Sequence, residues 1–311
     1  MLVEWTPSAA EGPKPMSVEQ RNAAGLGPAL RLSHPGGGAG MRSILLHIDG
    51  EEGQAARVEA ALDLARAWEG HITCVQVSPF RRGYVGINAL GGAVAIPEFI
   101  EEMEQAKAER RERLEGRFRS EQVQWSWLEL TGEVAQSLID LSRLTDVVVL
   151  NGPGEGPWSM VNALSLAGEI IVHARPPALV MPAMRRSLDC FGRALVAWNG
   201  SPESCNALKA SLPMLSGASG VHIAIATREE TAFPATMASE YLGWHGIKSD
   251  LHEIELGTRE VWEGLLHEAA QIGAAYIVMG GYGHSRFREA VLGGATREML
   301  KNANLPLLIG H

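Results

Sequence analysis

The chain has 311 residues, 46% of them apolar and 20% charged, with a formal net charge of −9. That length accommodates two ordinary domains and that composition a packed core, which excludes wholesale disorder. The acidic balance argues against nucleic acid or an anionic membrane surface as main partner, and no apolar run reaches the roughly 18–20 residues that span a bilayer.

Residues 1–40 are dominated by Pro, Gly, Ala and Ser and end in His34-Pro35-Gly36-Gly37-Gly38-Ala39-Gly40. Such a segment buries too little apolar surface to offset its ordering entropy, so it is expected to be a disordered tail, or Met41 the true start. It lacks the basic region and apolar core of a secretory signal. From Met41 the pattern alternates. Ile44–Ile48 reads as a strand, Ala55–Trp68 as a helix with Val58, Leu62 and Ala65 on one face, and Ile72–Val77 as a strand. Ile96–Arg119 is a charged helix, Val123–Leu130 a strand, Val134–Leu144 a helix, Val147–Leu150 a strand, Leu164–His173 a helix and Ala178–Met181 a strand. Continuous apolar strands between helices predict a parallel sheet covered on both faces.

After a linker, Ala183–Gly192, the order repeats. Leu195–Trp198 is a strand, and Ser201-Pro202-Glu203 supplies an N-cap, a first-turn proline and a first-turn acid. Strand Val221–Ala226, helix Thr236–His245, strand Ser249–Glu255, helix Glu260–Ile272, strand Tyr276–Met279, a glycine loop, a last helix and strand Leu307–Ile309 follow. Asp49-Gly50 matches Asn199-Gly200, Glu133-Val134 matches Glu260-Val261, and Ala174-x-x-Pro177 matches Ala303-x-x-Pro306. These matches predict a duplication: a tail over 1–40, one domain over 41–183 and a second over 193–311.

Gly280 and Gly283 stand at a strand exit, and Gly293 and Gly294 at the start of the next helix. Glycine removes the Cβ that would hold a ligand off the backbone, and free N–H groups at a helix start attract anions, so this frame suits the phosphates of a nucleotide. The spacing Gly280-x2-Gly283-x9-Gly293, with its strand before and helix and strand after, resembles the nucleotide-binding signature of the universal stress protein family. In that signature the last glycine is followed by Ser or Thr; here Gly294 follows and the hydroxyl returns at Thr296.

The resemblance covers Met41 to His311. It implies two tandem Rossmann-like (adenine nucleotide alpha hydrolase-like) domains, each a five-stranded parallel sheet flanked by helices. It also implies a cytoplasmic stress-response protein that binds ATP or a related adenine nucleotide in its second half. The residues it carries over are Asn199 and Gly200 after the first strand, Ala226 and Thr227 after the second, and Gly280, Gly283, Gly293, Gly294 and Thr296. Asn199 stands where the family has Asp, with no charge to help hold a metal, which leaves magnesium open. The family is often a homodimer, and two domains in one chain would replace that dimer by packing through their fifth strands.

The first half reads as a degenerate copy. Its fourth-strand exit, Asn151-Gly152-Pro153-Gly154-Glu155-Gly156-Pro157, has prolines without donors and an acid, and Leu164 falls opposite Gly293. His284 is read as a capping or packing residue before a catalytic one, and Arg286 and Arg288 as phosphate partners or a solvated face alike. Trp198, Trp244 and Trp262 are read as core or interface residues, and the charged helix as a solvated face. Cys74, Cys190 and Cys205 have no metal-type spacing, and their sparse count suits a reducing compartment. No catalytic motif demands turnover, and an interaction module of the same fold without nucleotide stands as the alternative.

Overall fold

The computed structural model describes residues 40–51, 53–78, 85–87, 93–95, 97–153, 157–226, 233–283 and 294–311. The tail expected over 1–40 lies outside these, Gly40 excepted. The first half runs β1 (Ser43–Ile48), α1 (Gln54–Trp68), β2 (His71–Ser78), β3 (Val85–Ile87), β4 (Ala93–Ala95), α2 (Pro97–Ser120), β5 (Gln124–Thr131), α3 (Val134–Leu141), β6 (Val147–Asn151), α4 (Pro157–His173) and β7 (Ala178–Met181). The second runs β8 (Ala194–Trp198), α5 (Pro202–Ala210), α6 (Leu212–Leu215), β9 (Val221–Ile225), α7 (Ala235–Trp244), β10 (Asp250–Glu253), α8 (Val261–Ile272), β11 (Tyr276–Gly280), α9 (Gly294–Asn302) and β12 (Leu307–Gly310).

The main strands form one ten-stranded sheet in the order β10-β9-β8-β11-β12-β7-β6-β1-β2-β5. Every neighbouring pair is parallel except β12 with β7, the fifth strands of the two halves, which run antiparallel with Leu308 opposite Leu179. Side chains alternate between the faces, as the period of a strand requires. Ile44, Leu46 and Ile48 join one apolar core and Leu45 the other; Tyr276 and Val278 join the first, Ile277 and Met279 the second. Both cores contain residues of both halves, so the halves share their interior.

Local signals set the helix boundaries. Glu133 accepts hydrogen bonds from the N–H groups of Ala135 (2.9 Å) and Gln136 (2.6 Å) at the start of α3. Glu260 and Glu263 form a reciprocal capping box on α8, which Gly273 ends at φ 64°. The charged helix α2 is more than a solvated face. Leu114 and Phe118 are buried, Arg111 reaches Glu129 on β5 (2.7 Å) and Arg117 reaches Glu59 on α1 (2.8 Å).

Two expectations need correction, and one element is new. Helix α4 begins at Pro157 rather than Leu164, because proline is tolerated at a first helical position; Leu164 therefore lies inside the helix, not at its N-terminus. The helix expected to reach Leu144 ends at Leu141, with a 3₁₀ turn over Ser142–Leu144. The antiparallel pair β3–β4 was not anticipated, since three-residue strands are too short to display a period. The linker packs on the first half: the Leu188 N–H donates to Asp63 (2.8 Å), and the Phe191 ring lies 5.7 Å from that of Trp68.

The two halves repeat their hydrogen bonds as well as their element order. Val148 N–H donates to Pro177 O (3.1 Å) and Ile277 N–H to Pro306 O (2.9 Å); Gly152 N–H donates to Met181 O (2.9 Å) and Gly281 N–H to Gly310 O (2.8 Å). Gly281 sits at the join, where a Cβ would stand 2.7 Å from the Ile309 side chain and 2.8 Å from that of Ile171 in the first half. Gly281→Val is therefore expected to destabilise the fold by roughly 1–3 kcal/mol through overpacking. Gly116→Ala, in α2 where a Cβ meets nothing within 4 Å, should instead stabilise it by about 0.5–1 kcal/mol. Denaturant midpoints of the two variants check both signs.

Candidate functional site

In the second half the chain leaves β8 outward to β9 and β10 and returns to β11 on the other side of β8. The carboxyl ends of β8 and β11 are thus the switch point, the place where open parallel sheets bind ligands. Asn199 and Gly200 follow β8, Ala226 follows β9, and Gly280 and Gly283 belong to the end of β11 and the loop after it. Asn199 is exposed and uses its Oδ1 to accept from the Ser201 N–H (3.2 Å), while Gly200 takes the left-handed φ of 70° that turns the chain into α5. Ala226 is buried.

The glycines divide into those the fold requires and those that leave backbone open. A Cβ at Gly280 would stand 2.6 Å from the Ser204 N and 2.7 Å from the Glu203 carbonyl carbon, so Gly280 admits the first turn of α5. Gly310, beside it in β12, does the same for Ala207, whose Cα would lie 2.8 Å from a Cβ. Gly283 is exposed, and a Cβ there would meet the Glu203 carboxylate. A Cβ at Gly294, at the start of α9, would meet no described residue within 4 Å. Thr296 is buried, and its hydroxyl accepts from the Tyr282 N–H at 3.4 Å. It braces the loop at a residue held at φ 58°, a conformation unusual for tyrosine. Burial pushes the Tyr282 phenol up to about 12, against the positive charge of Arg297 in the first turn of α9. Thr227, His284, Arg286, Arg288 and Gly293 lie outside the described residues.

The structure thus brings Asn199, Gly200, Ala226, Gly280, Gly283, Gly294 and Thr296 to one end of the second half. It also adds Glu203, which sequence reasoning took as a first-turn acid. The signal that could have found it is the repeat: four residues after Asn199 stands Glu203, whereas four after Asp49 stands Gly53. Of the tryptophans, Trp198 is buried and donates to the Phe233 carbonyl (3.0 Å), Trp262 packs on the core, and Trp244 is 80% exposed, which excludes the core half of its core-or-interface reading. Cys74 and Cys190 are buried and Cys205 is partly so. Among the described residues no cluster of His, Cys, Asp or Glu is arranged to hold a metal, and no helix is long and apolar enough to cross a membrane.

The corresponding end of the first half is filled by side chains. Arg57 is buried and pairs with Asp49. Asn151 donates to the Gly53 carbonyl (2.9 Å), and the Arg110 guanidinium covers Gly50, which sits at φ 82°. Burial opposes ionisation of Asp49, but the Arg57 charge and hydrogen bond prevail and hold its carboxyl below the usual range. Burial also pushes the His47 imidazole down to about 4, against the attraction of Asp49.

No protein-family model matches the chain. It is 28% identical over 188 residues to the universal stress protein Slr1230 of Synechocystis sp., an alignment covering 57% of this chain and 62% of that protein. It superposes on a universal stress protein of Archaeoglobus fulgidus with a TM-score of 0.69 at 16% identity, over 87% of this chain and 97% of that one. A functionally unknown protein of Pseudomonas aeruginosa, PA1789, superposes with a TM-score of 0.50 at 14% identity, over 87% and 92%. The fold is that of the universal stress proteins, and the resemblance drawn from the glycine spacing is borne out.

His47 gives the filled end of the first half a measurable signature. The unfolded chain takes up a proton at the ordinary value of 6.5, the folded chain only near 4. Between those values the unfolded state binds more protons, so stability falls as pH falls through that window. The loss attributable to His47 should reach about 3 kcal/mol, and His47→Gln should flatten the profile there. Urea unfolding of both proteins across the window measures the difference; parallel profiles would refute a buried neutral imidazole.

Proposed function

We propose that the chain is a stress-response protein of the universal stress protein type that binds one adenine nucleotide, ATP, at the glycine loop of its second half. It would act in the cytoplasm as a sensor or regulator rather than as a catalyst of rapid turnover. The observation that carries this reading is uncovered main chain at a switch point. Gly283 leaves the β11 exit bare of its own side chain, and a Cβ at Gly294 would meet no described residue within 4 Å at the start of α9. The N–H groups of a helix start attract phosphate, while Asn199 and the main chain at Ala226 lie where a base and sugar would reach from the other side of β8.

A second reading, an interaction module that binds no nucleotide, draws support from two groups. Thr296 already spends its hydroxyl on Tyr282, and the Glu203 carboxylate lies against Gly283. The first half contributes no second site on either reading, because Asn151, Arg57 and Arg110 occupy its switch point.

Calorimetric titration with ATP separates the readings. One site per chain is expected. Gly294→Glu should keep or raise the melting temperature, since an acid in the first turn suits the helix dipole. It should weaken ATP binding by at least about tenfold, since the added carboxylate faces the phosphates. Two equivalent sites per chain, or unchanged affinity in a well-folded Gly294→Glu protein, would overturn the assignment.

A further inference from the structure

Strand β10 ends the sheet in the second half and pairs with β9, Asp250 opposite His222 and His252 opposite Ala224. Its Asp250, Leu251 and Glu253 are exposed, so the strand owes little of its place to apolar burial. A chain of side chains supplements the ladder. His252 Nδ1 lies 2.8 Å from Glu268 Oε1 of α8, and His252 Nε2 lies 3.0 Å from His222 Nδ1 on β9. The two ring centroids are 5.0 Å apart in an edge-on pair. The other charged groups facing the rings are Asp250, whose Oδ2 is 3.8 Å from His222 Nδ1, and Arg193 ahead of β8.

Counting protons along this chain gives it two conditions. A carboxylate accepts and cannot donate, so the Nδ1 of His252 carries a proton. With no charge on the rings, His222 donates its Nδ1–H to the bare Nε2 of His252. With one charge, placed on His252, that ring donates from both nitrogens, to Glu268 and to a bare His222 Nδ1. Either state keeps both bonds. A second charge sets two N–H groups against each other across 3.0 Å, with no acceptor between them and two cations in contact. Asp250 is a weak counterweight, since its side chain is 80% exposed, and Arg193 adds to the repulsion. Burial, and next the His252 charge, accordingly hold His222 below its ordinary value of 6.5. Once the strand opens, His222 takes up its proton at the ordinary value. The open form then binds more protons and gains on the closed one as pH falls.

We propose that His222 and His252 form a pH-operated latch on edge strand β10: it ties the strand to β9 and α8 while at most one ring is protonated and releases it when both are. His222 is the second residue of β9, at the opposite end of that strand from Ala226, so the latch does not depend on the nucleotide reading.

The test is amide hydrogen exchange of the full chain at about pH 7 and about pH 5.2, corrected for the intrinsic rate, a window above the titration of ordinary carboxylates. The amides of β10, and that of Ile254, which donates to Ile225 O (2.9 Å), should lose at least about tenfold in protection relative to those of β11, which report global opening. His222→Gln still offers an amide donor to His252 but takes no proton, and should lose less than about threefold. His252→Gln removes the second charge from the other side and should do the same. An equal relative loss in wild type and both variants overturns the proposal, as does a wild-type loss no larger at β10 than at β11. The ring nitrogen shifts of the wild-type protein decide the matter without a variant. Two protonation steps separated by more than about one pH unit are expected, and two rings titrating together near the ordinary imidazole value overturn the latch.

Discussion

The antiparallel pairing of β7 with β12 is the contact on which the rest depends. Each half alone would end its sheet at a fifth strand that is buried along its whole length, Ala178–Met181 in one and Leu307–Gly310 in the other. An apolar edge of that kind cannot face water without inviting association. Joining the two edges removes both and makes the cores continuous, so that Leu179 and Leu308 belong to one apolar cluster and Val180 and Ile309 to the other. It also brings α4 alongside α9, and so sets the first half directly behind the glycine loop, with Ile171 pressed on Gly281. The degenerate half is therefore a buttress for the half with the open backbone.

Much of this was legible in the residues, for reasons that differ element by element. Strands such as Val147–Leu150 announce themselves because parallel strands covered on both faces are apolar throughout. The duplication was legible because turns and caps use few residue types: Asp49-Gly50 and Asn199-Gly200 each need a left-handed glycine, and Glu133 and Glu260 each cap a helix. Helix α4 was misjudged at its start because proline and glycine signal a break whether they precede a helix or open one.

The site was legible only as a set of glycines, because glycine spacing does not say what comes close. Gly280 and Gly310 exist for α5, Gly281 for the opposite half, and Gly283 and Gly294 alone leave main chain uncovered by their own side chains. A sequence lists all five alike. Distinguishing them needs the distances to Ser204, Ala207 and Ile171, which are set by tertiary packing between segments far apart in the chain. Glu203 was hidden for the same reason: a first-turn acid is favourable in any helix, and only the descent of α5 onto Gly280 turns it toward the loop.

Comparison of equivalent positions shows how one architecture yields a closed end and an open one. In the first half the strand end carries Asn151 and the helix start carries Gly53, so the side chain comes from the strand and the space from the helix. In the second half the roles reverse, with Gly280 on the strand and Glu203 on the helix. The same inversion applies to charge. Eight residues after Asp49 stands Arg57, which neutralises it from within, whereas eight after Asn199 stands Ala207, small enough for Gly310 to close upon. The first half thus satisfies its own acid and fills its own crevice. The second has no such pair among its described residues and holds an acid that they leave unneutralised, so the asymmetry between the halves is one of charge compensation.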